Sequence, residues 1–379
     1  MKIAVNTRFL IKNKIEGIGR FTLETLMVLV KKHPEHEFIF FFDRDFDTEF
    51  LFASNIKGVK LFPPARHAFL FVWFFEWSIY RALIKHKADL YISCDGFLSL
   101  RSKVPQIAVI HDLSFEHNPE DLHFFSRQYY KFFFPRFARK AKHILTVSEF
   151  SKKDIVERYE IQPDKITVVY NGASSNFTPI GEEFKTAVRM KFSESHDYFV
   201  YVGALQPRKN IARLLLAFDA FKEGNPNSCK LVIVGRMAWK TESIEEAFAA
   251  MKFKDDVLFT GRISDEDLTK VLASAIALVY IPYLEGFGIP ILESMQCGTP
   301  VITSNISAMP EVAGDAGLLI NPFDVNEIKQ AFTSMYFDAA LREQLLQKCV
   351  DQSKKFSWEK TADCVWKAII NCSIEVPSV

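Results

Sequence analysis

Short runs of β-branched and aromatic residues alternate with longer stretches of helical periodicity along this whole chain, and that alternation most limits its fold. Repeated strand–helix–strand units return to one sheet and build parallel α/β layers. In the first half the strand signals are Lys2–Asn6, Glu37–Phe42, Leu90–Ser93, Gln106–His111, His143–Val147 and Ile166–Val169. In the second half they are Tyr198–Val202, Lys230–Val234, Val257–Thr260, Ala277–Tyr280, Pro300–Thr303 and Gly317–Ile320. Helical spacing fills the gaps, as in 211–221, where Ile211, Leu214, Leu215 and Phe218 share one face. A chain of 379 residues exceeds what one core usually serves, so two such layers are expected. The stretch Asn171–Glu183, rich in Gly, Ser, Asn and Pro, separates the two strand series. The expected domains are therefore 1–175 and 176–356. The tail 357–379 has helical spacing at Trp358, Ala362, Val365, Trp366 and Ile369. It is expected to cap one domain or the other, crossing back to the first in one arrangement.

Lys plus Arg total 47 against 46 for Asp plus Glu, so no global field would recruit nucleic acid. The cysteines Cys94, Cys229, Cys297, Cys349, Cys364 and Cys372 show no Cys-x-x-Cys pair, which argues for thiols in a reducing compartment over disulfides or zinc. The first apolar run, interrupted by Arg8, is too short for a signal peptide. The longest apolar stretch, Ala68 to Phe75, falls far short of the ~20 residues of a spanning helix. These features point to a cytoplasmic protein.

The sharpest motif is Glu285-Gly286-Phe287-Gly288-Ile289-Pro290-Ile291-Leu292-Glu293. It follows a strand signal and opens a helical pattern that runs to Cys297, Gly298 and Pro300. Proline near a helix start and glycine past its end is the usual asymmetry. A glycine turn feeding a helix N-terminus offers backbone N–H groups and a favourable dipole to a phosphate. Glu285 and Glu293 flank that cradle, and two carboxylates repel a phosphate, so sugar hydroxyls are their natural partners.

This motif resembles the signature of glycosyltransferase family 4, the retaining group 1 enzymes. The resemblance extends to Gly17-Ile18-Gly19-Arg20, His111-Asp112, Val147-Ser148-Glu149, Asn171-Gly172, Val202-Gly203, Pro207-Arg208-Lys209-Asn210, Phe259-Thr260-Gly261 and Pro310-Glu311-Val312-Ala313-Gly314. It implies an α/β GT-B architecture, with two Rossmann-like domains facing across a deep cleft and closing over the donor. The first would take the acceptor and the second a nucleotide diphosphate sugar. It further implies that Glu293 binds the donor ribose, Glu285 the transferred sugar, and the backbone of Phe287, Gly288 and Ile289 the sugar and diphosphate. No metal or other cofactor is implied, and same-face departure and attack would retain configuration, the leaving phosphate taking the acceptor proton.

Lys209 and Arg208, in the Gly203–Asn210 loop, can neutralise the diphosphate as its charge grows. Many family members carry Arg right after that glycine, where this chain has Ala204, so Lys209 is the principal cation and Arg208 the second. Gly17-Ile18-Gly19 precedes a helix expected from about Arg20 to Lys32, at the first βα turn, where backbone could approach donor phosphates or acceptor. His111 ends a strand whose carboxyl end should face a ligand crevice. The resemblance gives it a contact to the transferred sugar, and Asp112 either orients the loop or touches substrate. Base recognition is expected from backbone around Arg262 and Ile263. The Leu205–Asn210 pattern is similar to that of members that use GDP-mannose, with UDP-hexoses and deoxysugar donors as alternatives.

Two aromatic–basic blocks, 66–87 and 124–142, fit either a bilayer surface at the inner face of the plasma membrane, near a lipid-linked glycan acceptor, or core or dimer contacts. The glycosyltransferase reading accounts for each motif. A nucleotide-sugar epimerase or a sugar phosphorylase would need carboxylates or a cofactor lysine that no motif supplies. A non-catalytic nucleotide-sugar sensor would be expected to lack Glu293, Lys209 or His111.

Overall fold

The computed structural model describes residues 1–65, 68–225, 227–237 and 242–374. They divide into two compact units, Met1–Asn171 with Ser357 onward, and Gly172–Phe356.

In the first unit β1 (Lys2–Asn6), β2 (Glu37–Phe42), β3 (Ile56–Lys60), β4 (Leu90–Ser93), β5 (Gln106–Val109), β6 (His143–Thr146) and β7 (Ile166–Val168) form one parallel sheet in the order β3-β2-β1-β4-β5-β6-β7. Helices cover its faces, so β4 and β5 are buried at every position and are mostly apolar, Ser93 and Gln106 being their polar residues. β3 carries no strand signal in the sequence. It is an edge strand of composition Ile-Lys-Gly-Val-Lys, never fully buried, and Gly58 interrupts it because a Cβ there would lie 2.5 Å from the Phe46 ring. β5 stops at Val109, two residues before the expected end, and the His111 ring turns to the Cys94 carbonyl.

The first helix corrects a second expectation. It spans Gly17–Lys32, so both glycines lie inside its opening turn instead of ahead of it. A Cβ on Gly19 would sit 2.8 Å from the Phe9 carbonyl oxygen, and glycine lets that turn pack against the β1 loop. The closing helix, Trp358–Ile374, packs on this one. His33 stacks on Trp366 at 3.5 Å, Lys32 pairs with Asp363 at 2.7 Å, and Thr361 Oγ1 donates to the Tyr170 carbonyl.

The core of this unit is aromatic. Phe97 packs on Phe75, Phe134 and Tyr129 with ring centroids 5.0, 5.1 and 6.0 Å away. The two aromatic–basic blocks divide between core and surface. Phe74, Phe75, Tyr129, Phe134 and Phe137 are buried, while Phe69, Trp73, Trp77, Phe124, Phe125 and Phe132 are exposed. Arg66 and His67, which open the first block, lie outside the described residues.

In the second unit β8 (Tyr198–Val202), β9 (Lys230–Val234), β10 (Val257–Gly261), β11 (Leu278–Tyr280), β12 (Val301–Ser304) and β13 (Gly317–Ile320) form a parallel sheet in the order β10-β9-β8-β11-β12-β13. All six cysteines are free, and burial pushes the thiols of Cys94, Cys229, Cys297 and Cys349 up to about 12. Among the described residues no helix is long and apolar enough to cross a membrane.

Candidate functional site

In a doubly wound sheet, ligands bind outside the carboxyl ends of strands where the winding direction reverses. In the second unit that point lies between β8 and β11. The loop after β8 holds Gly203–Asn210 and the loop after β11 holds Ile281–Gly288, so topology alone brings together motifs separated by some seventy residues.

The two loops are bonded to each other. Tyr283 N donates to the Arg208 carbonyl at 3.1 Å. Asn210, left-handed at φ +63°, starts the Ile211–Gly224 helix, and its Nδ2 donates to the carbonyls of Ile281 and Pro322. Lys209 ends a short 3-10 turn, Pro207–Lys209, where proline suits the first position. Its Nζ donates to Glu285 Oε2 and to the Tyr280 hydroxyl, while Arg208 Nη1 reaches the same Oε2 at 2.5 Å and the Leu284 carbonyl at 3.1 Å. Arg208, Lys209 and Glu285 thus form one cluster, with Lys209 only 8% exposed. Burial pushes the Glu285 carboxyl up, but the charges of Arg208 and Lys209 and the hydrogen bonds from both outweigh it and hold the pKa at about 2. Glu285 is a fixed anion at neutral pH.

Glu285 stands just ahead of the Ile289–Gln296 helix. Gly288 has φ +94° at its N-terminal boundary, a conformation strained for any residue with a Cβ, which would also come 2.9 Å from the Met309 methyl. The ring of Phe287 is buried edge-on against Phe356. Glu293 lies one turn into the helix, 8% exposed.

Glycines also line the neighbouring strand ends. Gly203 N donates to the Val234 carbonyl and Gly235 N to the Gly261 carbonyl. A Cβ on Gly235, at φ +154°, would fall 1.8 Å from the Gly203 carbonyl oxygen. The sequence does not single out Gly235, and it gives Tyr280 only as the end of a strand, although a glycine directly after the apolar run Lys230–Val234 is the signal that could have found the first. Ile263 is not part of the charged cluster. It is half-buried in the loop after the edge strand β10, ahead of a helix capped by Ser264.

Gly17, Gly19 and His111 belong to the first unit. His111 is half-buried after β5, its Nε2 2.9 Å from the Cys94 carbonyl and its ring edge-on to Phe21. Burial lowers its pKa against the opposing effects of the Cys94 carbonyl, Asp112 and Asp95, so the ring is neutral at pH 7. Asp112 Oδ1 accepts from Ser114 N at 2.9 Å, a loop-orienting bond. A cavity of about 420 Å³ lies elsewhere in this unit, by the end of β3, lined by Phe62, Trp73 and Trp77 with Lys60, Arg81 and Lys85.

The chain is similar to known proteins in sequence and in fold. Residues 15–177 match the family model Glycosyltransferase Family 4, and residues 185–355 match Glycosyl transferases group 1. O-antigen chain mannosyltransferase B of Escherichia coli is 30% identical over 376 residues, spanning 92% of this chain and 94% of its own. O-antigen chain mannosyltransferase RfbU of Salmonella typhimurium is 30% identical over 266 residues, 70% of each chain. Among solved structures, Anabaena Alr3699/HepE in complex with UDP and glucose aligns with TM-score 0.76 at 16% identity, over 97% of this chain and 99% of its own. WaaG, a glycosyltransferase of lipopolysaccharide biosynthesis, aligns at 0.76 and 15% identity, over 99% and 100%. At such identities these two show the GT-B fold alone. With family models on both units and a 30% identical relative along nearly its full length, this chain belongs to the group 1 glycosyl transferases of glycosyltransferase family 4.

Proposed function

We propose that this glycosyltransferase moves mannose from GDP-mannose to a glycan or lipid-linked glycan acceptor in surface-polysaccharide assembly, with retention of configuration and without a metal ion. The observation that carries the reading is the convergence of Lys209 and Arg208 on Glu285, just ahead of the Ile289–Gln296 helix. Two side-chain cations and a helix N-terminus supply positive potential where a departing diphosphate gains charge. The names of the O-antigen mannosyltransferase relatives support the sugar and the pathway.

In this reading Glu293 takes the ribose hydroxyls and Glu285, already ionised and oriented by two cations, takes hydroxyls of the transferred sugar. Backbone at Phe287–Ile289 holds the diphosphate and sugar and backbone near Ile263 the base, while Gly203, whose N–H is given to the Val234 carbonyl, shapes the turn beside them. His111, neutral, contacts the transferred sugar. A Cβ on Gly17 would meet nothing within 4 Å, so glycine there keeps space open for a ligand, whereas Gly19 serves packing. Retention is tested by the anomer of the new linkage, read by NMR after transfer from GDP-mannose in EDTA. An α linkage at an undiminished rate is expected, while a β linkage or loss of transfer in EDTA contradicts the reading.

The exposed Phe69, Trp73, Trp77, Phe124 and Phe125, with Arg81, Arg101 and Arg127 among them, suit the boundary of an anionic bilayer, where a lipid-linked acceptor is presented. Co-sedimentation with phosphatidylglycerol vesicles, reduced by salt and by Trp73→Ser, is expected. Equal recovery with neutral phosphatidylcholine vesicles contradicts this contact.

A further inference from the structure

The first unit holds its own reversal point, between β1 and β4, and a buried ion pair occupies it. Arg8 follows β1 by two residues and Asp95 follows β4 by two. Arg8 Nε donates to Asp95 Oδ2. Asp95 Oδ1 also accepts from Asn6 Nδ2 and Ser93 Oγ, both at 2.8 Å, and from Phe97 N at 3.3 Å. The carboxylate is therefore saturated. The guanidinium is not, although Arg8 is only 7% exposed and its carbon lies 4.4 to 5.5 Å from the ring centroids of Phe97, Phe9, Phe71 and Phe75. Its Nη1 and Nη2 donate to no described residue, and neither is among the enclosed polar atoms that lack a partner. They face the opening that remains.

A buried ion pair is a poor way to stabilise a core, because apolar side chains of equal volume often do as well. This pair instead presents a planar fork of N–H donors, held in place by aromatic rings, beside the partly exposed ring of Phe9. A donor fork next to an aromatic face fits a pyranose, with adjacent hydroxyls accepting from Nη and the C–H face lying on the ring. Asp95 cancels the guanidinium charge, which favours a neutral sugar over a phosphate. His111 Nε2 lies 2.9 Å from the carbonyl of Cys94, the residue before Asp95, which places the pair near the residue proposed to contact the transferred sugar.

We propose that Arg8, with Phe9, binds the acceptor sugar at the β1–β4 reversal point and sets acceptor affinity. The inference rests on the transferase reading, and its test separates the two. Arg8→Lys keeps the charge and can still pair with Asp95 but loses the fork, and Phe9→Ala removes only a partly exposed ring. Acceptor KM, donor hydrolysis without acceptor, and saturation-transfer NMR of α-mannobiose are measured on the full chain. Arg8→Lys is expected to raise acceptor KM about tenfold, roughly one lost hydrogen-bonding fork, and to abolish the mannobiose signal. Donor hydrolysis should stay within about twofold of wild type. Phe9→Ala should weaken acceptor binding in the same direction, and it carries the test if the lysine variant does not fold. An unchanged acceptor KM and mannobiose signal in folded variants overturns the proposal, as does an equal loss of donor hydrolysis, which marks the pair as structural. If wild type uses no sugar nucleotide, the transferase reading fails, and the mannobiose signal still decides for Arg8.

Discussion

Lys209→Met lowers turnover by about two to three orders of magnitude while leaving the donor KM within a few-fold of wild type. The size follows from removing one fixed positive donor at a site of developing negative charge, worth roughly 10²- to 10³-fold in other enzymes. The effect falls on turnover because the diphosphate carries more charge as it departs than when it binds. Methionine fills the space beside Tyr280 without a charge, and Arg208 remains to pair Glu285. The fold should therefore survive, which a melting curve verifies. Arg208→Gln, at a more exposed guanidinium, should cost less. Steady-state kinetics with a saturating donor decide the matter: a folded Lys209→Met enzyme turning over within about threefold of wild type removes Lys209 from the leaving-group role.

Glu285→Gln acts oppositely on two measurements. Transfer falls by about a hundredfold or more, because an oriented anion facing the sugar is lost. The affinity for free nucleoside diphosphate rises, by about tenfold for each 1.4 kcal/mol of competing pairing removed, because Lys209 and Arg208 no longer share their charge with a carboxylate. A purely structural glutamate predicts loss of both. The substitution also changes acid stability. The folded carboxyl titrates near 2 against an ordinary 4.5, so the stabilisation is complete above about pH 5 and is lost as pH falls toward 2. It is on the order of 3 kcal/mol. Acid unfolding curves should therefore be flatter for the variant between pH 5 and 2. A wild-type slope, together with weakened diphosphate binding, contradicts the cluster's role.

Much of this was legible in the sequence because it rests on local signals. Buried parallel strands are apolar over most of their length, so β1, β2, β4, β8 and β9 stand out with their observed bounds. Glycine and proline around Glu285–Pro290 report a turn whose φ of +94° at Gly288 favours glycine. What escaped depends on neighbours distant in sequence. β3 is a half-exposed edge with lysines and a glycine, and only pairing with β2 marks it as a strand. The first helix starts at Gly17 because the Phe9 carbonyl admits Gly19 beneath it. The motifs identify Arg208 and Lys209 as cations for a phosphate, but nothing local says that both already bond Glu285, seventy-odd residues away. The aromatic blocks lack a clean two-faced pattern because the Phe124–Lys140 helix buries Tyr129, Phe134 and Phe137 while exposing Phe124, Phe125 and Phe132.

The central claim, a GDP-mannose site organised by Glu293 and the Glu285 cluster, is tested most directly by a thermal-shift series. GDP-mannose, UDP-glucose, UDP-galactose, dTDP-rhamnose and the free nucleotides are compared on wild type and Glu293→Ala, with and without EDTA. A ligand bound only by the folded state adds RT ln(1 + [L]/Kd), about 2.7 kcal/mol at a hundred times Kd, a shift of several degrees. The predicted result is a shift with GDP-mannose and GDP that EDTA leaves intact and Glu293→Ala removes. A shift with a UDP- or dTDP-sugar in place of GDP-mannose, or one that survives Glu293→Ala, would contradict it.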